Sequence, residues 1–149
     1  MYISSKDPIR VGIIAGCFTI LHPGHIFSFQ EAKKECDYLI ALTNTDEYLL
    51  RKKGCVPIPL ADRITLLSSI KFIDEVGFYS GDTEEKWVEN FKENRLYKEF
   101  NIAARLTLFH DPEVFGNAPA RTLADKIIYF PKTTHSVSEI FKKIRGANE

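Results

Sequence analysis

His22 and His25 stand three residues apart in His22-Pro23-Gly24-His25, an arrangement suited to gripping an anion. At a helix entry, residues at that spacing lie on one side, and both imidazoles can donate an N–H. A helix start adds free amide groups and the positive end of its dipole. Gly16, six residues ahead of His22, leaves room for backbone to approach a phosphate closely, and Gly24 keeps the space between the two rings clear. Further charged and hydroxyl groups follow at Arg51-Lys52-Lys53-Gly54, Arg63, His110-Asp111, Lys132, Ser136 and Ser138. Taken alone, the basic run reads equally as a solvated loop, Arg63 as a surface residue and the serines as helix caps. No nucleophile elbow or catalytic triad accompanies them, so the chemistry implied is positioning and charge stabilisation on phosphates.

The elements that must hold these residues alternate. Residues 10–16 form an apolar run ending on Gly16, the pattern of a strand. Pro23 suits the first turn of a helix, which 24–35 continues with Ile26, Phe29 and Ala32 on one face. A second strand is expected at 37–43, a turn-rich basic stretch at 51–59, and a helix at 61–72 with Ile64, Leu67 and Ile70 inward. Strands at 75–79, 102–109 and 126–130, a helix from Thr83 to Phe100 and a last helix at 136–144 complete the series. Strands alternating with helices predict an α/β, Rossmann-like doubly wound parallel sheet of about five strands with helices on both faces, in a single domain over 1–149. Ligands of such sheets bind beyond the carboxyl ends of the strands, which points to the turn after the first strand.

Composition narrows the function. Among 149 residues, 44% are hydrophobic and 27% charged, and twenty basic residues balance twenty acidic ones, which argues against a nucleic-acid partner. No apolar run reaches the roughly 18 residues of a membrane span, and the start carries no apolar signal region, so no membrane partner is expected. Cys17, Cys36 and Cys55 are an odd set without C-x-x-C spacing, which fits a reducing cytoplasm and no metal site.

The segment GCFTILHPGH at 16–25 resembles the G-x-F-D-x-x-H-x-G-H signature of the cytidylyltransferase-like nucleotidyltransferases. Later segments carry the resemblance on: Lys53-Gly54, Pro57, Pro59 and Asp62-Arg63, then Tyr129 to Ile140 (YFPKTTHSVSEI). It implies that His22 and His25 hold the α- and β-phosphates, and that Lys52, Lys53 and Arg63 hold the triphosphate or the acceptor phosphate. Gly16, Cys17, Phe18 and Gly24 are then nucleotide-binding through their backbone, and Asp111 faces ribose or base. Lys132, Ser136, Val137 and Ser138 hold the distal phosphate, Thr19 and Lys53 meet the acceptor, and Mg²⁺ arrives with the triphosphate. A homodimer is implied as well. The chain departs from the signature at Thr19, where aspartate is usual, and at His110, where a glycine is expected. The leading reading is transfer of CMP, or AMP, from CTP or ATP to a phosphorylated small polyol or sugar, with release of pyrophosphate. A sugar-1-phosphate adenylyltransferase of the heptose type is the alternative. A non-catalytic nucleotide-binding protein is the reading of another class, which Thr19 and His110 keep open.

Overall fold

The computed structural model describes residues 10–79, the backbone of 105–110 and 126–129, and residues 142–146, which are helical. The chain runs β1 (Arg10–Ala15), α1 (Pro23–Lys34), β2 (Tyr38–Asn44), α2 (Asp46–Lys53), α3 (Leu60–Ser68), β3 (Glu75–Tyr79), β4 (Arg105–His110) and β5 (Lys126–Tyr129). The strands form a parallel sheet in the order β3-β2-β1-β4-β5. The chain therefore winds outward from β1 to β3 and then resumes on the other side of β1. Strand order reverses between β1 and β4, where an open α/β sheet leaves a crevice at its carboxyl ends.

Burial explains the near-continuous apolar strands. Ile14, Leu39 and Ala41 face α1 and α3, where they pack with Phe18, Phe29, Ala32, Cys36, Leu67 and Ile73 in one core. Val11, Ile13, Ile40 and Leu42 alternate to the opposite face and are buried too, as a parallel strand covered on both sides requires. The inward seam of α1 is Phe29, Ala32 and then Cys36 just past its end; Ile26, expected on that face, lies at the entrance turn and is 36% exposed. At the amino ends of the strands, the Asp37 carboxylate accepts from the Arg10 guanidinium and backbone amide. The Asp74 carboxylate accepts from the Leu39 amide and pairs with Lys33, tying α1 and the approach to β3 to β2.

The stretch 51–59, expected as a turn, is helical through Lys53. Thr45 caps α2 by accepting from the Tyr48 amide, Asp46 and Glu47 occupy its first turn and Arg51, Lys52 and Lys53 its last. Those charges complement the helix dipole at both ends. The helix ends at Gly54, whose φ of 78° lies in the left-handed region and lets its N–H close on the Leu50 carbonyl. The helix expected at 61–72 is α3, shorter at its end, with Ile70 and Phe72 still packed on the core from the turn that follows. The helix expected at 83–100 lies outside the described residues.

Candidate active site

The turn between β1 and α1 is built on backbone contacts. The Gly16 amide donates to the Leu42 carbonyl at 2.9 Å, extending the β1–β2 ladder by one bond. The next carbonyl, that of Cys17, accepts from the Thr43 hydroxyl at 2.9 Å and from Arg63 Nη1 at 3.3 Å. Phe18 then turns into the left-handed region with φ of 48°, which is strained for an aromatic residue. Its ring is paid back by burial, lying edge-on to His25 and tilted against Phe29, each at 5.4 Å between centroids. It also covers Gly16: a Cβ there would lie 3.0 Å from Phe18 Cζ.

The chain enters α1 through its two histidines. His22 is the N-cap, its Nδ1 accepting from the Gly24 amide at 3.1 Å, and its own amide donates to His25 Nδ1 at 3.3 Å. The reciprocal arrangement is that of a capping box with imidazoles in both side-chain positions. The rings stack at 3.8 Å between centroids and 27° between planes. A ring nitrogen that accepts a hydrogen bond carries no proton, so each ring is neutral with its N–H on Nε2. Burial, and then the neighbouring His22, lowers the His25 pKa to about 4. With Pro23 at the first helical position and no acidic residue in the first turn, no carboxylate of that turn opposes an incoming anion.

Arg63 departs from the expectation of a phosphate-facing guanidinium. It is 1% exposed and consumed by the chain's own acceptors. Nε donates to the Ile58 carbonyl; Nη1 lies within bonding distance of the Cys17 and Asn44 carbonyls and the Thr43 hydroxyl; Nη2 pairs with Asp46 Oδ1 at 2.8 Å. Asp46 Oδ1 also accepts from the Leu60 amide, at the start of Arg63's own helix. Its planar fork of donors thus binds three loops where a lysine could reach one. Thr19, expected at the acceptor, is buried at 2% exposure. Lys52 and Lys53 are exposed at the end of α2, and the Lys53 charge reaches the first turn, opposing the burial that raises the Cys17 thiol pKa.

His22, His25, Gly16, Cys17, Phe18 and Gly24 thus share one turn, with Lys53 in electrostatic range. Asp111, Lys132, Ser136, Val137 and Ser138 lie outside the described residues, and of His110 only the backbone is described. Sequence reasoning missed Thr43, Asn44 and Asp46 at the end of β2; the succession Thr43-Asn44-Thr45-Asp46, a strand end meeting a helix cap, was the available signal. Among the described residues no group of three or more histidine, cysteine or acidic side chains is placed to hold a metal. None of the described helices is long and apolar enough to cross a membrane.

A parallel α/β sheet whose first strand runs into a helix capped by two histidines presents an anion-binding turn at its carboxyl end. The family follows from comparison: the cytidylyltransferase-like family model matches residues 13–127, and the chain belongs to that family. Among curated relatives, bifunctional protein HldE of Granulibacter bethesdensis is 32% identical over 121 residues, 80% of this chain and 24% of that protein. HldE of Gluconacetobacter diazotrophicus is 40% identical over 77 residues, 50% of this chain and 16% of the relative. The chain thus spans a quarter or less of the length of these relatives. The fold is shared by a solved lipopolysaccharide core biosynthesis protein from Thermoplasma volcanium, with a TM-score of 0.55 at 21% identity, covering 84% of this chain and 98% of the other.

The histidine pair sets a pH dependence. Unfolded, His25 titrates near 6.5; folded, near 4. Between those values the unfolded chain binds the extra proton, so stability rises with pH across that window and is lost as pH falls through it. The expected loss from pH about 7 to about 4 is about 2–3 kcal/mol from this ring. His25→Asn, whose Oδ1 can still accept from the His22 amide, should flatten that part of the profile. An equal dependence of unfolding free energy on pH in the two proteins, measured by chemical denaturation, would contradict the assignment. Arg63→Lys should cost on the order of 3 kcal/mol, because buried carbonyls at 17, 44 and 58 lose a shared donor. A wild-type-like urea midpoint would show that the guanidinium does not hold the loops.

Proposed function

We propose that this chain transfers AMP from ATP to the phosphate of a heptose-type sugar 1-phosphate, releasing pyrophosphate. The observation that carries the reaction type is the stacked pair of Nε2-protonated histidines at the start of α1. The matches to HldE proteins favour the adenylyl, sugar-phosphate reading over CMP transfer to a polyol phosphate. An acceptor phosphate monoester has a second pKa of about 6 and is largely dianionic at neutral pH, so its oxygen attacks the α-phosphorus without a protein base. In-line attack then needs the triphosphate held still and its growing charge met by donors.

In this reading His22 and His25 donate from Nε2 to phosphate oxygens. The neutrality of His25 suits the task, since the strength of its contact does not vary with pH near neutrality. The helix dipole, Lys52 and Lys53 supply the positive field, and the triphosphate comes as its Mg²⁺ complex. Asp111 serves the ribose or base, and Lys132, Ser136, Val137 and Ser138 the distal phosphate. Arg63 acts through the turn it braces, as a positioning residue.

Pyrophosphate release, measured with ATP and with CTP against heptose 1-phosphate and glycerol 3-phosphate, separates the readings. ATP with heptose 1-phosphate is expected to turn over, and His25→Ala to lower that kcat by about 100-fold. Turnover with CTP and glycerol 3-phosphate alone would transfer the assignment to a polyol cytidylyltransferase. Nucleotide binding without turnover would mark a non-catalytic binding protein.

A further inference from the structure

Asn44, the last residue of β2, is 2% exposed. Its carbonyl is taken by Arg63 Nη1 at 2.8 Å, but among the described residues its carboxamide nitrogen is the one buried side-chain polar atom without a hydrogen-bond partner. An amide donor stripped of water and left unpaired is costly, and native chains rarely keep one without a use. A leucine or valine would fill the position without that cost.

The place of Asn44 in the sheet says what the use is. Side chains alternate along a strand, so Asn44 shares the face of Ile40 and Leu42, while Thr43 turns to the α3 side and bonds Arg63. Asn44 therefore stands at the carboxyl end of the sheet, on the face away from α1 and α3. It is one strand removed from the β1–β4 reversal, on the side of β3. A nucleotide whose phosphates meet the start of α1 occupies the reversal, which leaves the β2 side of β1 open to its reaction partner. An amide N–H is a neutral donor and seeks an oxygen. With Ile40 and Leu42 on its own face, it suits an uncharged oxygen, since a phosphate there would lose water without gaining a counter-charge.

We infer that Asn44 is a specificity-determining residue whose amide donates to a hydroxyl of the sugar acceptor. This rests on the sugar-phosphate transfer proposed above. A site that bonds a hydroxyl rejects analogues lacking it far more strongly than an apolar pocket rejects an added one, because the buried donor is then left unpaired.

The test compares wild type with Asn44→Ala and Asn44→Leu in two assays. In steady-state kinetics, KM for heptose 1-phosphate should rise at least 10-fold in both variants, with KM for ATP within twofold of wild type. In titration calorimetry without turnover, ADP should bind all three proteins alike, while the added affinity of ADP-heptose over ADP should fall about 10-fold in the variants. The unliganded Asn44→Leu protein should melt no lower than wild type, since the unpaired Nδ2 donor is removed from the interior. An unchanged acceptor KM in an active variant overturns the inference and leaves the proposed reaction standing, and so does a rise in ATP KM in step with it. Absence of turnover in wild type overturns the proposed reaction, and the ADP-heptose titration then decides Asn44 alone. Equal ADP-heptose affinity in variants and wild type, or no gain over ADP in wild type, overturns it.

Discussion

The Arg63 guanidinium is the interaction on which the carboxyl end of the sheet depends. Segments leaving a parallel sheet at that end carry carbonyls that no strand can pair, and buried carbonyls without donors are rarely tolerated. Arg63 meets those of Cys17, Asn44 and Ile58, together with the Thr43 hydroxyl. Asp46 neutralises the charge and holds the start of α3. The turn that presents His22 and His25 hangs from the Cys17 carbonyl, and the end of β2 from that of Asn44. The buried cation is a structural keystone of the site, and the conversion of an expected ligand into a brace is a matter of its depth.

The histidines follow the same economy. Each uses one ring nitrogen to satisfy an amide of the helix start, which leaves its proton on the other. Capping the helix and setting the tautomer are therefore a single event. Since burial, and then the neighbouring His22, hold His25 neutral, the positive field for a phosphate falls to the helix dipole and to Lys52 and Lys53 at the close of α2.

The sequence made the frame legible because its local and global signals agree. The apolar runs at 10–16 and 37–43 could be buried on both faces only in a parallel sheet, and Pro23 placed the entry of α1. The grouping of His22, Gly24 and His25 with Gly16 followed from that junction. Helix α2 was hidden by its own charges: Arg51-Lys52-Lys53 reads as solvated loop until Thr45, Asp46 and Gly54 are recognised as its two ends. Arg63 was misread for a different reason, since its acceptors lie 5 to 46 residues away and no local pattern announces them. Asn44 lay one residue past the strand expected at 37–43 and drew no reading, because an unpaired donor becomes visible only once its surroundings are known.

Phe18 and Gly16 carry a consequence for how this turn can change over evolutionary time. The ring lies tightly against the place a side chain at position 16 would take, and the burial of the ring is what offsets its strained backbone. A Cβ at 16 would press within 3.0 Å of the ring, which would have to give way by a little, and a smaller residue at 18 gives up the packing that supports the bend. Substitutions at the two sites are therefore coupled, the cost of a side chain at 16 being set by what stands at 18.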